Sequence, residues 1–220
     1  MSGIVSSGRT RRRSKAAGGF TLIEILVTIL VLALGLQGVM SMQTRAAATE
    51  FESYQRGQAL ALARDMQARL LSSRGLLTGY LDASISSTDG SAFFGNGSDA
   101  INFANADGVC AAPVAGNVLS QAKYQACSWG LDLRGVAVKE GANAVGAMVG
   151  ARGCVIRVNP PSSNALADFY VVIVWQGIVE RTEPAANSAA GQCASGVNFG
   201  AGLRRGVSVR VLVPDLQKAT

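Results

Sequence analysis

Glu24 is the residue whose type does not fit its surroundings. It is the only charge in the run from Phe20 to Thr44, FTLIEILVTILVLALGLQGVMSMQT. A carboxylate inside an apolar span costs about 3 kcal/mol or more unless it finds a partner, which makes it a functional candidate by default. Ion pairing is the chemistry open to it, with a positive group on another subunit as the obvious counter-ion. At low dielectric a pair is strong and a lone charge heavily penalised, so Glu24 can set the axial register between helices. Immediately upstream lie the small residues Ala16, Ala17, Gly18 and Gly19. A secretory signal peptide has its small-residue cleavage site after the apolar run, whereas here the small residues come before it. An enzyme that cuts at this point leaves the helix attached to the mature chain.

The other chemistry-bearing residues are Cys110, Cys127, Cys154 and Cys193, in a chain with no histidine and no Cys-x-x-Cys pair. Disulfides are favoured over metal ligation. Four cysteines allow three pairings, and chain order favours Cys110 with Cys127 and Cys154 with Cys193, because short loops close most readily. Asp89, Asp99 and Asp107 do not have the oxygen spacing of a compact calcium loop. Neither a metal nor a cofactor is expected, and no Ser-Lys, paired-carboxylate or cysteine-nucleophile constellation points to an enzyme.

The elements that position these residues begin with the membrane span. At about 1.5 Å per residue the run is long enough, as a helix, to cross a hydrocarbon core of about 30 Å. Five basic residues, Arg9, Arg11, Arg12, Arg13 and Lys15, precede it without an acid, and they account for most of the net charge of +6; the rest of the chain holds 15 basic against 14 acidic residues. Such a block beside a span is a topology signal more than a phosphate-binding one, which keeps the leader in the cytoplasm and sends the head outward. At 220 residues there is room for a single globular head.

The stretch Gly19-Phe20-Thr21-Leu22-Ile23-Glu24 resembles the type IV prepilin cleavage and methylation motif. By that resemblance a membrane peptidase cuts after Gly19, Phe20 becomes the methylated first residue, and Glu24 pairs with the amino terminus of a neighbouring subunit. The implied organisation is a cleaved leader over residues 1–19, a transmembrane and filament-core helix over 20–44, the amphipathic half of the same helix over 45–74, and an exported head over 75–220. The implied fold class is α+β and type IV pilin-like, a long N-terminal helix whose second half packs on an antiparallel sheet. The implied partners are the prepilin peptidase, other minor and major pilins, the inner-membrane assembly platform and the membrane itself. The protein is expected in the inner membrane, head in the periplasm, before entering a surface filament.

Past the span, no proline interrupts the chain to Ser73, and Ala47, Phe51, Tyr54, Gln58, Leu62, Met66 and Leu70 recur every three to four residues, which predicts one long helix with these as its packed stripe. Glu52 with Arg56 and Asp65 with Arg69 are acid-first i, i+4 pairs, expected as solvated surface. Gly35 and Gly38 weaken the membrane half by about 1 kcal/mol each, or serve close helix packing. Residues 83–108 read as a long surface loop, and a short helix is expected near Ala142 to Val149. Cys154 to Val158, Phe169 to Ile178 and Gly206 to Val213 are the expected strands, the last alternating Val207, Val209, Val211 and Val213 with Ser208, Arg210 and Leu212. Trp129 and Trp175 are expected in the core.

The run Leu62 to Arg69, the Cys127-Ser128-Trp129 element and the Tyr170 to Trp175 strand also resemble the minor pilins, which implies a low-abundance subunit that primes or caps a retractable filament and supports adhesion and twitching motility. A minor pseudopilin of a type II secretion system shares the leader and helix. A DNA-uptake pilin is a third reading, with Arg152, Arg157, Arg204, Arg205 and Arg210 as a stripe, but a mature balance near +1 disfavours nucleic acid as a partner. A membrane-anchored enzyme is the least favoured.

Overall fold

A computed structural model describes residues 18–136, 139–141, 143–144, 146, 148–158 and 167–213. Helix α1 runs unbroken over Leu22–Ser72, as the absence of proline predicts. Contacts divide the chain into two units, Met1–Ala46 and Ala47–Thr220, so α1 contributes its first half to one and its second half to the other.

In the second unit α1 is followed by a 3-10 turn, Arg74–Leu76, then α2 (Leu77–Tyr80), β1 (Ser86–Ser87), β2 (Phe93–Gly95), α3 (Val118–Leu133), β3 (Lys139–Glu140), β4 (Asn143–Ala144), β5 (Arg152–Arg157), β6 (Ala167–Gln176), α4 (Ala189–Gln192) and β7 (Arg204–Val213). β5, β6 and β7 form an antiparallel meander, the three strands expected, each extended or shifted by about two residues. β5 is flanked on its other side by β2, antiparallel, and by the two residues of β1, parallel. The fold is α+β, a long N-terminal apolar helix with a five-stranded mixed sheet.

β6 is central, and both its faces are covered. Phe169, Val171, Ile173 and Trp175 meet α1 and α3, together with Trp129, Phe94 and Val155. Val172 and Val174 lie in a second cluster with Phe93, Ile156, Ala190 and Phe199. In β7, Val211 and Val213 are buried while Ser208, Arg210 and Leu212 are exposed, the alternation read from the sequence.

The buried stripe of α1 is Gln55, Ala59, Ala63, Met66 and Leu70, which corrects the expected one. Spaced nearly four residues apart, the expected positions drift around a helix that repeats every 3.6. The two stripes coincide only at Met66 and Leu70, and at the other end Phe51 and Tyr54 are exposed. Trp129, wholly buried, donates its Nε1–H to Leu62 O at 3.0 Å and lies against Gly153, where a Cβ would collide with the indole ring.

Three other expectations are revised. Where a short helix was expected near Ala142 to Val149, β3 and β4 form a hairpin around Gly141, whose φ of +62° suits glycine; residues 142, 145 and 147 lie outside the described set. The surface loop over residues 83–108 contains β1 and β2, because Ile85, Phe93 and Phe94 are buried. Helix α3 is not among the expected elements. Asn117 caps it, accepting from Ser120 N at 2.9 Å, and Ala122, Ala126, Trp129 and Leu133 form its inner face.

Polar groups fix the end of α1 to α3. Arg69 binds Asp65 at 2.8 Å, Asp132 at 3.2 Å and the carbonyl of Gln125 at 3.1 Å. The Gln125 side chain accepts from the Tyr80 hydroxyl and donates to Ser73 at 3.0 Å. Burial raises the Tyr80 phenol well above its usual pKa, with Arg69 only partly opposing. In the unfolded chain this phenol ionises near pH 10, so the stability held below that pH falls as pH rises further, by up to about 1.4 kcal/mol per unit. Denaturant titration of the full chain in detergent between pH 9 and 12 is expected to show this slope in the native protein. In Tyr80→Phe the slope attributable to this residue is absent, at a cost of about 1 kcal/mol near neutral pH from the lost hydrogen bond.

Candidate functional site

The residues around the expected cleavage point lead directly into α1. Gly18, Gly19 and Phe20 precede the helix, and Phe20 is exposed. Thr21 caps it: the Glu24 amide donates to Thr21 O at 3.1 Å and approaches Thr21 Oγ1 at 3.4 Å. A threonine followed three residues later by glutamate is a capping sequence, and the carboxylate sits in the first turn, where the helix dipole favours it.

Every residue from Gly18 to Ala47 is exposed. The exposed surface includes Leu22, Ile23, Leu26, Ile29, Leu30, Leu32, Leu34, Leu36 and Met40, a helix long and apolar enough to cross a membrane. Apolar surface of this extent must be buried by lipid or by other helices, each large side chain contributing about 1.5–3 kcal/mol on transfer. Glu24 belongs to that surface, so whatever covers the helix also determines what the carboxylate meets.

In the head, the sequence-expected residues are placed as follows. Cys110 is bonded to Cys127, tying the loop before α3 to that helix, and Cys154 to Cys193, tying β5 to the segment after α4. Asp89 accepts from the amide and hydroxyl of Ser91, which lowers its pKa, and Asp99 accepts from Ser98. Among the described residues no three carboxylates, cysteines or histidines converge as metal ligands. The five arginines do not form a free stripe. Arg152 stacks on Phe199, Arg157 binds Leu81 O at 2.8 Å, Arg205 meets Glu52 at 3.2 Å and Arg210 meets Asp168 at 2.6 Å. Arg204 is buried and donates to the carbonyls of Ala190, Gly191, Cys193 and Ala194, closing the α4 turn.

Two of these residues carry more than their sequence context announced. Glu52, expected to pair with Arg56 on the surface, is bound by Arg181 at 3.0 Å and by Arg205, and receives the Val179 amide at 3.3 Å. It links α1 to the segment between β6 and β7, a pairing that no local spacing reveals. Arg204 lies at the start of a strand and gives no sign of being a carbonyl cap; only the loop that returns from Cys193 creates its partners.

With this geometry established, comparison with known proteins is specific at the N-terminus. Residues 14–38 match the family model described as the prokaryotic N-terminal methylation motif. No curated protein and no solved structure gives a significant match. The chain therefore carries a prepilin-like methylation motif on an apolar helix, followed by an α+β head.

The disulfide between β5 and the α4 segment lies at the centre of the second cluster, which has few large side chains. By loop-closure entropy, a separation of 39 residues corresponds to about 4 kcal/mol. Replacing both residues, Cys154→Ser with Cys193→Ser, is expected to lower the unfolding free energy by about 2–4 kcal/mol and to make residues 189–199 the first site of limited proteolysis, followed by mass spectrometry of the fragments.

Proposed function

We propose that this chain is a minor type IV pilin, similar to PilV, which enters a filament as a low-abundance subunit and primes or caps its assembly with companion minor pilins. The match of residues 14–38 to the methylation motif carries the reading. Prepilin peptidase cuts after Gly19 and methylates Phe20, which then heads the mature helix. The leader stays in the cytoplasm, the helix spans the inner membrane and the head waits in the periplasm until the assembly platform extracts it.

The exposed apolar surface of residues 20–42 supports helix packing as the mechanism. In a bundle of such helices Glu24 is held away from water, and the amino terminus of Phe20 on a neighbouring subunit is the counter-ion that offsets its desolvation. A subunit displaced along the bundle leaves both charges unpaired, so register is selected electrostatically. The exposed side chains of Phe51 and Tyr54 extend the surface available to neighbouring helices into the second half of α1. The work is association and not bond chemistry, with adhesion and twitching motility as its consequences.

Intact mass and tandem mass spectrometry of the membrane-extracted protein, from cells with and without prepilin peptidase, test the processing step. Loss of Met1 to Gly19 with a methyl group on Phe20, only where the peptidase is present, is the expected result; an uncut chain beside an active peptidase makes this an ordinary membrane anchor. Glu24→Gln is expected to leave cleavage intact and to lower the amount of subunit in sheared filaments by about tenfold, the equivalent of about 1.4 kcal/mol of lost pairing. Absence of the native protein from sheared pili, with retention in a secretion complex, favours the type II pseudopilin instead.

A further inference from the structure

Between α1 and the adjoining ends of β6 and β7 lies a cavity of about 350 Å³, whose lining includes Glu52, Ser53, Arg56, Trp175, Arg181 and Arg205. Ligand pockets begin at about 300 Å³. The lining carries three guanidinium groups against one carboxylate, an excess of two positive charges. Arg205 and Arg181 are committed to Glu52, the first at Oε1 and the second at Oε2. With both carboxylate oxygens taken, Arg56, one turn along α1, has no hydrogen bond or ion pair among the described residues. The cation left over in this cavity is therefore Arg56, not the pair already bound to Glu52.

The buried polar atoms of the lining are short of acceptors as well. Trp175 is only 3% exposed, yet its Nε1–H has no acceptor among the described residues. Arg205 Nε is a second buried donor in the same condition. Trp129 is the contrast, its indole N–H satisfied by Leu62 O. Gln55 Oε1, on the residue before Arg56, is a buried acceptor but is bonded to neither donor. A donor buried in this way loses its hydration without recovering a hydrogen bond. Negative charge and acceptor oxygens are what this lining lacks. A phosphate group supplies both: its oxygens accept from several directions, and the guanidinium fork matches their geometry.

We propose that this cavity binds a phosphate group, with Arg56 as its cationic contact and the Trp175 indole N–H as a buried donor. Two sources offer that chemistry, free phosphate and the headgroup of an anionic phospholipid. The first lining residue, Thr49, follows the apolar run by five residues, a length of chain that spans at most about 18 Å, which keeps the cavity close to any headgroup layer at the end of that run. Phosphate binding needs nothing from the processing motif; the lipid source alone rests on residues 20–44 lying in a membrane.

The chain has two tryptophans, so its indole N–H groups give two signals in a proton–nitrogen correlation spectrum, assigned by the one that Trp175→Phe removes. The full chain in dodecyl maltoside micelles, which contain no phosphate, is titrated with sodium phosphate and, separately, with phosphatidylglycerol incorporated into the micelles. The Trp175 signal is expected to shift and saturate in at least one titration. The Trp129 signal, already bonded, is expected to stay in place, and sodium chloride of matched ionic strength to move neither. Saturation by inorganic phosphate assigns a soluble ligand; saturation by phosphatidylglycerol alone assigns the lipid headgroup. Arg56→Gln changes an exposed side chain with no described partner to lose, so it is expected to fold normally and to weaken binding by at least about tenfold, the scale of one hydrogen bond to a charged group. No shift in either titration, a shift of both indoles, a shift reproduced by sodium chloride, or a response unchanged in Arg56→Gln overturns the proposal.

Discussion

The burial of α1 is the constraint on which the rest of this structure depends. Its second half meets the head through a narrow stripe, Gln55, Ala59, Ala63, Met66 and Leu70, and its first half is predominantly apolar and exposed, with no described residue covering it. A helix with such a surface is stable only where lipid or other helices surround it. The head does not compensate for this, because its own core is already closed on both faces of β6. The demand for burial is therefore passed outward, and association with membrane or neighbours follows from the sequence as directly as the fold does.

On the function proposed above, Glu24 turns that non-directional demand into a directional one. Hydrophobic burial fixes how much surface is covered but tolerates sliding, since one turn of leucines resembles the next. In such a bundle a carboxylate in the first turn of the helix does not slide without penalty. The cap by Thr21 holds that first turn in helical form around Glu24.

The legible parts of the sequence were those governed by local periodicity or by a strong local signal. The length of α1, the three long strands and the alternation in β7 follow from the placement of apolar residues and the absence of proline. The rest depended on contacts distant in sequence. Glu52 reads as a surface partner for Arg56 until a segment more than a hundred residues away delivers Arg181 and Arg205. The packed stripe of α1 was misread because four-residue spacing looks helical over a turn or two and drifts over six. α3 could have been found: Asn117 as a cap, with Ala122, Ala126, Trp129 and Leu133 behind it, is an amphipathic helix, obscured by the glycines and short polar residues around it. The β1 and β2 pairings are too short to have any period of their own.

The polar ties of the head are concentrated where α1 must not move against it. Arg69 with Asp65 and Asp132 holds one end of the packed stripe, and Glu52 with Arg181 and Arg205 holds the other. Between them, apart from the buried Gln55, the contacts are alanine, methionine and leucine, which resist separation but offer little resistance to rotation or sliding. Ion pairs with defined geometry supply what that apolar stripe lacks: removing one partner strands the other in a half-buried site, a penalty that a shifted methyl contact does not carry. Glu52 is only 13% exposed, so its charge is held in that position by two guanidinium groups and is not a freely solvated surface group. The second half of the helix is thus fixed to its sheet by charge at both ends and by packing in the middle, while Glu24 is the one charge in the exposed apolar run from Phe20 to Thr44.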